Sequence, residues 1–365
     1  MFYFHGLIDG ILNGSMVSKL RCVILKNELP NDHHLWIKAC DKYKEKVTYR
    51  VVDLTRDDWF REIEKQPYDV LLAKPSAVTN AFKQLFDERI LVLHQLGKKI
   101  FPSVTEILIY ENKRFCSFWL MANQVPHPTT HVFYDLKEAM AYIETASWPL
   151  VTKTNIGASG SGVMLLKSQS EAIQYAERLF SGLGAQKRVG PNLQKGGWLK
   201  RASHYLFHPA DIIKKYQFYQ KKAADIQKDF ILLQEFVPHE FEWRVVRIGH
   251  SFFAHKKLKL GEKASGSLLK NYDNPPISLI QFVKDFTDQF GFYSQAVDIF
   301  ETHNGYLINE AQCIFGQSDA FQMMVDGKIG RYVFNQGDWM FEEGDFNGNE
   351  SYDLRVQYVV ESFYL

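Results

Sequence analysis

Two segments near the C-terminal end of the chain carry oxygen donors at a spacing that suits metal chemistry. Gln295-Ala296-Val297-Asp298-Ile299-Phe300 and Tyr306-Leu307-Ile308-Asn309-Glu310-Ala311-Gln312 read as two strands joined by the turn Thr302-His303-Asn304-Gly305. Strand alternation puts Glu310 and Gln312 on one face, and Asp298 lies near the end of the facing strand, so three oxygens converge on a small patch. Two carboxylates and an amide carbonyl suit Mg²⁺, a hard cation that takes a few carboxylates and fills its remaining positions with water and substrate phosphates. The plainer alternative is that Asp298 caps a strand end and Glu310 pairs with a surface lysine.

A second candidate is Pro149 to Val163, PLVTKTNIGASGSGV. An apolar run ends on Lys153 and opens into a loop containing Gly157, Ser159, Gly160, Ser161 and Gly162. Glycines let a backbone approach a ligand closely, serines add donors, and successive N–H groups with a nearby lysine form an anion-binding concavity. The lysine precedes the glycines, so this is not G-x-x-x-x-G-K-[ST], and the glycine spacing is not G-x-G-x-x-G. A plain hairpin connection has the same composition.

Other reactive residue types have simpler explanations. His33-His34 are adjacent at the start of a helix and do not share a face, which argues against a metal pair. Cys313 has no basic partner in view and reads as a buried free thiol. Phe115, Phe118 and Trp119 stand at helical spacing and read as core of a helix that begins at Lys113.

The chain that must position these groups has 365 residues, 46% hydrophobic and 15% aromatic, with a formal net charge of +1. It is long enough for two or three domains. The balanced charge argues against wholesale nucleic-acid binding. Cys22, Cys40, Cys116 and Cys313 show no C-x-x-C or zinc spacing, as expected of a reducing, cytoplasmic compartment. The apolar N-terminal stretch MFYFHGLIDGILNGS is interrupted by Asp9 and is too short to span a bilayer, so neither a transmembrane segment nor a signal peptide is expected.

Strands at Leu20–Leu25, Thr48–Leu54 and Tyr68–Ala73 alternate with helices at Asp32–Tyr43 and Asp57–Lys65. A longer helix at Asn80–Leu96 and a short strand at Lys99–Pro102 follow, the pattern of a parallel α/β sheet. A separate lobe opens at Glu111-Asn112-Lys113 and includes the glycine loop and a helix near Ser170–Phe180. Between Ser181 and Lys228 ten lysines and arginines, from Lys187 to Lys228, face only Asp211 and Asp225, with Tyr205, Phe207, Tyr216, Phe218 and Tyr219 interleaved. This segment is either a solvated basic excursion or a surface for an acidic or glycan-like partner. Phe230–Val237, Glu242–Ile248 and Phe252–Leu258 then read as three adjacent strands of one sheet, before a helix at Ile277–Gln289.

Taken in order, these pieces resemble the ATP-grasp superfamily, in particular its carboxylate-amine ligases such as glutathione synthetase and D-alanine:D-alanine ligase. Lys113 and Val125-Pro126-His127-Pro128-Thr129 look like the family's first lysine and the small-residue segment after it, and Lys153 with Gly157 to Gly162 like its second lysine and flexible loop. Gln234-Glu235-Phe236-Val237 resembles the adenine-contacting linker and Glu242-Trp243-Arg244 the D-x-R strand. The later basic residue is Lys256 or Lys257, with Lys257 carried as the candidate, and Asp298, Glu310 and Gln312 resemble the metal set. The family usually has Asp, Asn and Arg where Glu242, Gln312 and the lysine stand here. Asn271 resembles a late phosphate-facing asparagine, with a turn as the simpler reading.

The resemblance implies an α/β fold in five parts: an N-terminal extension (1–18), a parallel α/β domain (19–110), a first ATP-grasp lobe (111–183), the basic aromatic insertion (184–228) and a second lobe with the metal patch (229–365). It also implies ATP and Mg²⁺, or Mn²⁺ in its stead, and a carboxylate activated as an acyl phosphate and joined to an amine. Arg244, Lys257 and Lys153 would be the catalytic cations. The substrates would be small molecules or peptide- or glycan-linked groups, and the protein a homo-oligomer. A nucleotide-binding module without turnover, or a phosphotransferase on the same lobes, is the alternative.

Overall fold

The computed structural model describes residues 18–157, 162–185, 209–260, 263–264, 269–315 and 319–363. All but the last residue of the N-terminal extension, Ser159, Gly160, Ser161 and most of the basic half of the insertion lie outside them.

Strands Leu20–Lys26 (β1), Val47–Asp53 (β2), Val70–Ala73 (β3) and Ile100–Phe101 (β4) form a parallel sheet in the order β2-β1-β3-β4, with helices His34–Lys42 (α1), Trp59–Glu64 (α2), Asn80–Gln95 (α3) and Val104–Ile109 (α4). Strand alternation sends Val23, Leu25 and Leu71 toward Ile63, Phe86 and Ile90 on one side. It sends Cys22, Ile24 and Leu72 toward Trp36 and the C-terminal helix Tyr352–Phe363 on the other. Both faces are covered, as a parallel sheet requires.

Helix Lys113–Ala122 (α5) follows, then Thr130–Phe133 (β5), Leu136–Thr145 (α6), Leu150–Lys153 (β6), Val163–Leu166 (β7), Gln169–Phe180 (α7), Pro209–Ala224 (α8) and Ile231–Glu235 (β8). The second sheet is antiparallel, order β5-β8-β6-β7, and buries Leu150, Ile231 and Leu233 against Ala139, Ile143, Ala176 and Leu179 of α6 and α7. Here the sequence reading is corrected. β8 does not join the two strands after it but pairs with β5 and β6, because residues 236–240 carry the chain across to another sheet before the next strand begins.

That third sheet holds Phe241–Ile248 (β9), Ser251–Leu260 (β10), Lys263–Ala264 (β11), Lys270–Asn271 (β12), Ser294–Thr302 (β13), Gly305–Gln312 (β14), Met324–Val325 (β15), Lys328–Asn335 (β16) and Asp338–Glu343 (β17). Its path is β14-β13-β9-β10-β16-β15, with β11 and β12 on β10 and β17 on β16. One face, with Trp243, Val245, Ala254, Val297 and Ile299, packs on helix Ile277–Phe290 (α9), and Trp119 of α5 sits among Phe286, Phe290 and Phe292. Phe118, expected beside Trp119 in the core, is exposed instead, on the outer side of α5. The C-terminal helix is α10.

Glu106 joins the N-terminal domain to this sheet. One carboxylate oxygen accepts from Ser103 N in the capping box of α4, and the other accepts from Ser294 N at the start of β13. Burial raises its pKa to about 7. The four cysteines are free and buried. Among the described residues no helix is long and apolar enough to cross a membrane.

Lys83 and Asp87 form a buried i,i+4 ion pair on α3, and Lys83 also donates to Ile107 O at 3.1 Å. Removing one partner leaves an uncompensated charge, so Lys83→Met should lose about 3–5 kcal/mol in urea denaturation, while Lys83→Met/Asp87→Leu recovers most of it.

Candidate functional site

The other face of the third sheet is polar, and its register aligns four side chains. His255 on β10 lies opposite Arg244 on β9, Arg244 opposite Asp298 on β13, and Asp298 opposite Glu310 on β14. Lys257 pairs with Glu242 one step along, and Gln312 follows Glu310 on the same face. Arg244 donates to Asp298 through Nε and Nη2 at 2.8 and 2.9 Å. The Lys257 ammonium bridges Asp298 at 2.7 Å and Glu242 at 2.8 Å. Lys256 points to the opposite face, over the Phe241 and Trp243 rings and toward Asp273. Alternation therefore resolves the choice between the two lysines in favour of Lys257.

The register slips between Asp298 and Ile299, leaving Asn309 as the extra residue of a β-bulge. Strict alternation would turn Asn309 away from Glu310. The bulge lets both serve the site, where Asn309 accepts from Lys153 Nζ at 2.8 Å and donates to Glu242 at 3.2 Å. Nothing in the pattern of hydrophobic residues signalled it.

Lys113 and Lys153 enter from the other side. Asn112 caps α5 through its side chain, and Asn155, just after β6, accepts from Lys113 N and Arg114 N, so the two lysine-bearing elements are tied together. The Lys113 ammonium donates to Gly157 O at 2.9 Å and lies 3.4 Å from both Glu111 and Glu310. Glu111, read from the sequence only as the opening of a lobe, has φ +48° and also accepts from Gly157 N and Gln312 Nε2. At the foot of the glycine loop, Gln227 grips both backbone groups of Ile156, and Thr154 N donates to Gly162 O. Gly162 has φ +91°, and a Cβ there would stand 2.3 Å from Thr154 Oγ1, so glycine is required.

Between the second and third sheets lies a cavity of about 30 Å³, room for roughly one water. Glu111, Lys113, His127, Lys153, Gln234 and Glu310 line it. Of the expected linker, Gln234 reaches it, and donates to Thr130 Oγ1, while Glu235, Phe236 and Val237 do not. Asn271 makes an Asx turn with Asp273 N, the simpler of its two readings. Cys313 and Cys116 are pushed up by burial, Cys116 to about 12, which makes them inert thiols.

The cluster holds four cations, Lys113, Lys153, Arg244 and Lys257, and four carboxylates, Glu111, Glu242, Asp298 and Glu310. Burial alone would lower the pKa of Lys113 and Lys257, but their carboxylate neighbours outweigh it and raise both. Burial would likewise raise Asp298, yet Arg244 and Lys257 hold it well below the usual carboxylate range. Lys153 differs: among the described residues its ammonium has no carboxylate within salt-bridge distance, and desolvation lowers its pKa. His255, desolvated and near Lys270 and Arg244, is held neutral with a pKa of about 3.

The metal trio is brought together only in part. Asp298, Glu310 and Gln312 share a face, but the Asp298 carboxylate is taken up by Arg244 and Lys257. Glu310, 27% exposed at its side chain, and the Gln312 amide remain accessible donors. Among the described residues no group of three or more His, Cys, Asp or Glu is placed to hold a metal ion. Of the trio, Glu310 and Gln312 are the two whose side chains Arg244 and Lys257 do not take up.

Removing an ammonium without a carboxylate partner relieves desolvation, so Lys153→Ala should melt at or above the wild-type temperature. Lys257→Ala leaves two buried carboxylates facing each other and should lose about 3–5 kcal/mol in urea denaturation.

No protein-family model and no curated protein matches the chain. Solved structures do. The chain is similar to a RimK domain ATP-grasp protein from Sphaerobacter thermophilus, at 14% identity and TM-score 0.53 over 93% of this chain and 99% of that one. It is similar to D-alanine–D-alanine ligase from Bacillus anthracis, at 12% and 0.51 over 94% and 97%. A third likeness is to the ADP complex of an N5-carboxyaminoimidazole ribonucleotide synthetase, at 15% and 0.50 over 82% and 71%. At such identities the likeness is one of fold, and the three-sheet architecture built here from register and packing agrees with it: this chain has the ATP-grasp superfamily fold.

Proposed function

We propose that the protein is an ATP-dependent ligase that activates a carboxylate as an acyl phosphate and joins it to an amine. The observation that supports this most directly is Lys153. A desolvated ammonium held only by an amide oxygen is costly to maintain, and an anionic ligand beside the glycine loop would compensate it. The solved ligases of the same fold, one with ADP bound, support the choice of nucleotide.

In this reading Lys113 and Lys153 hold phosphate oxygens. Gln234 to Val237 border the adenine. A carboxylate oxygen of the substrate attacks the γ-phosphorus, an O–P bond forms, and the bond to the departing ADP breaks. The amine then attacks the acyl carbon and inorganic phosphate leaves. Arg244 and Lys257 face the charge that develops on the transferred group, with orientations already fixed by Asp298 and Glu242. A divalent cation on Glu310 and Gln312 neutralises phosphate charge when bound. The substrates are small molecules or carriers of a free carboxylate and amine.

ADP release would be measured with Mg-ATP against a panel of carboxylates and amines. One productive pair should stimulate release, and Lys153→Ala and Glu310→Ala should each lower it about 10²–10³-fold. Nucleotide binding without substrate-stimulated release from any pair would leave a binding module in place of a ligase.

The lowered pKa of Lys153 sets a pH dependence with a definite sign. The protonated ammonium binds phosphate, so affinity for a non-hydrolysable ATP analogue should fall as pH rises through a value below that of an ordinary lysine. Lys153→Arg, charged throughout, should flatten that fall in calorimetric titrations at several pH values.

A further inference from the structure

We infer that Lys257 is a tethered cation standing where a metal ion would otherwise bind, so that this site takes one divalent ion, at Glu310 and Gln312, and not two. The inference deepens the ligase reading and rests on it for the phosphates that the remaining ion would serve. Its basis is a contrast between two carboxylate sets on one sheet face. Glu242 and Asp298, 8% and 3% exposed at their side chains, close on the Lys257 ammonium at 2.8 and 2.7 Å. Both Asp298 oxygens also receive Arg244. The Asp298 side chain is thus almost wholly buried, with both oxygens engaged by cations. Glu310, by contrast, keeps 27% of its side chain exposed, and its nearest ammonium, Lys113, stands off at 3.4 Å.

The chemistry of the substitution is direct. An ammonium carries three N–H donors. Lys257 spends two of them on Glu242 and Asp298, and the third has no acceptor among the described residues. That third donor is free for a phosphate oxygen, which is how a metal ion held by two carboxylates would also act. Unlike an ion, it cannot exchange. Strand alternation explains why this lysine takes the place: of the neighbours Lys256 and Lys257, only the second faces the carboxylates.

The test counts bound Mn²⁺ on the full chain from the paramagnetic resonance of free Mn²⁺, with saturating adenylyl imidodiphosphate and again with Mn²⁺ alone. Wild type with the analogue should bind one Mn²⁺ per chain. Two would overturn the proposal, and that measurement needs no variant. Lys257→Met should bind one ion more than wild type in both conditions, and Mn²⁺ should raise its melting temperature by several degrees more than it raises the wild type's. Equal counts would overturn the proposal. Asp298→Asn should keep the wild-type count, and loss of an ion there would overturn it too. Failure of the analogue to bind in equilibrium dialysis would count against the ligase reading alone, because the comparison with Mn²⁺ alone still decides the role of Lys257.

Discussion

The polar face of the third sheet depends on cross-strand ion pairing in a dry setting. Glu242, Lys257, Asp298 and Arg244 come from three adjacent strands, and the backbone ladder fixes their separation before any side chain chooses a rotamer. Buried charges survive only when each meets an opposite charge in good geometry. Here the bidentate Arg244–Asp298 contact and the bridging ammonium meet that condition. The arrangement adds little net stability over an apolar packing of the same volume. It does fix two cations in position on one sheet face.

Against that saturated cluster, Lys153 is conspicuous for what it lacks. Its strand belongs to the second sheet, so its charge is brought to the carboxylate face across a boundary between two packed units. Among the described residues, the one side-chain hydrogen bond it makes across that gap is donated to Asn309, a residue displaced from its proper side by a bulge. The opposite charges nearest to it are already engaged by Lys113 and Lys257.

The strongly periodic parts of the fold were legible from sequence. β1 to β4 with α1, α2 and α3, the α9 helix and the β13–β14 hairpin all lie within a few residues of the expected positions, while α4 was not expected. Alternation placed Glu310 and Gln312 on one face, and Lys153, Glu242, Arg244, Lys257 and Asp298, singled out through the order of a resemblance, gather around the same polar cluster. What failed had physical causes. The run from Phe230 to Val237 looks like its neighbours in composition, and only tertiary pairing shows that it belongs to another sheet. Asn309 depends on a bulge, which has no composition signal, and Glu111 on a positive φ that its side chain does not advertise. The saturation of Asp298 could not be read either, because it requires knowing that β9 lies between β10 and β13.

The placement of α5 carries a mechanical consequence. α5 packs with the core of the third sheet, yet the next strand, β5, lies in the second, and the chain returns only after β8. The second sheet and its two covering helices are thus joined along the chain to their neighbours through residues 123–129 and 236–240. Lys113 belongs to the unit of the third sheet and Lys153 to that of the second, and Asn155 ties the two. The cavity between them holds only about 30 Å³. With the bonds from α5 to Asn155, the Lys153–Asn309 hydrogen bond therefore holds the two units together beside the cavity that Lys113 and Lys153 both line.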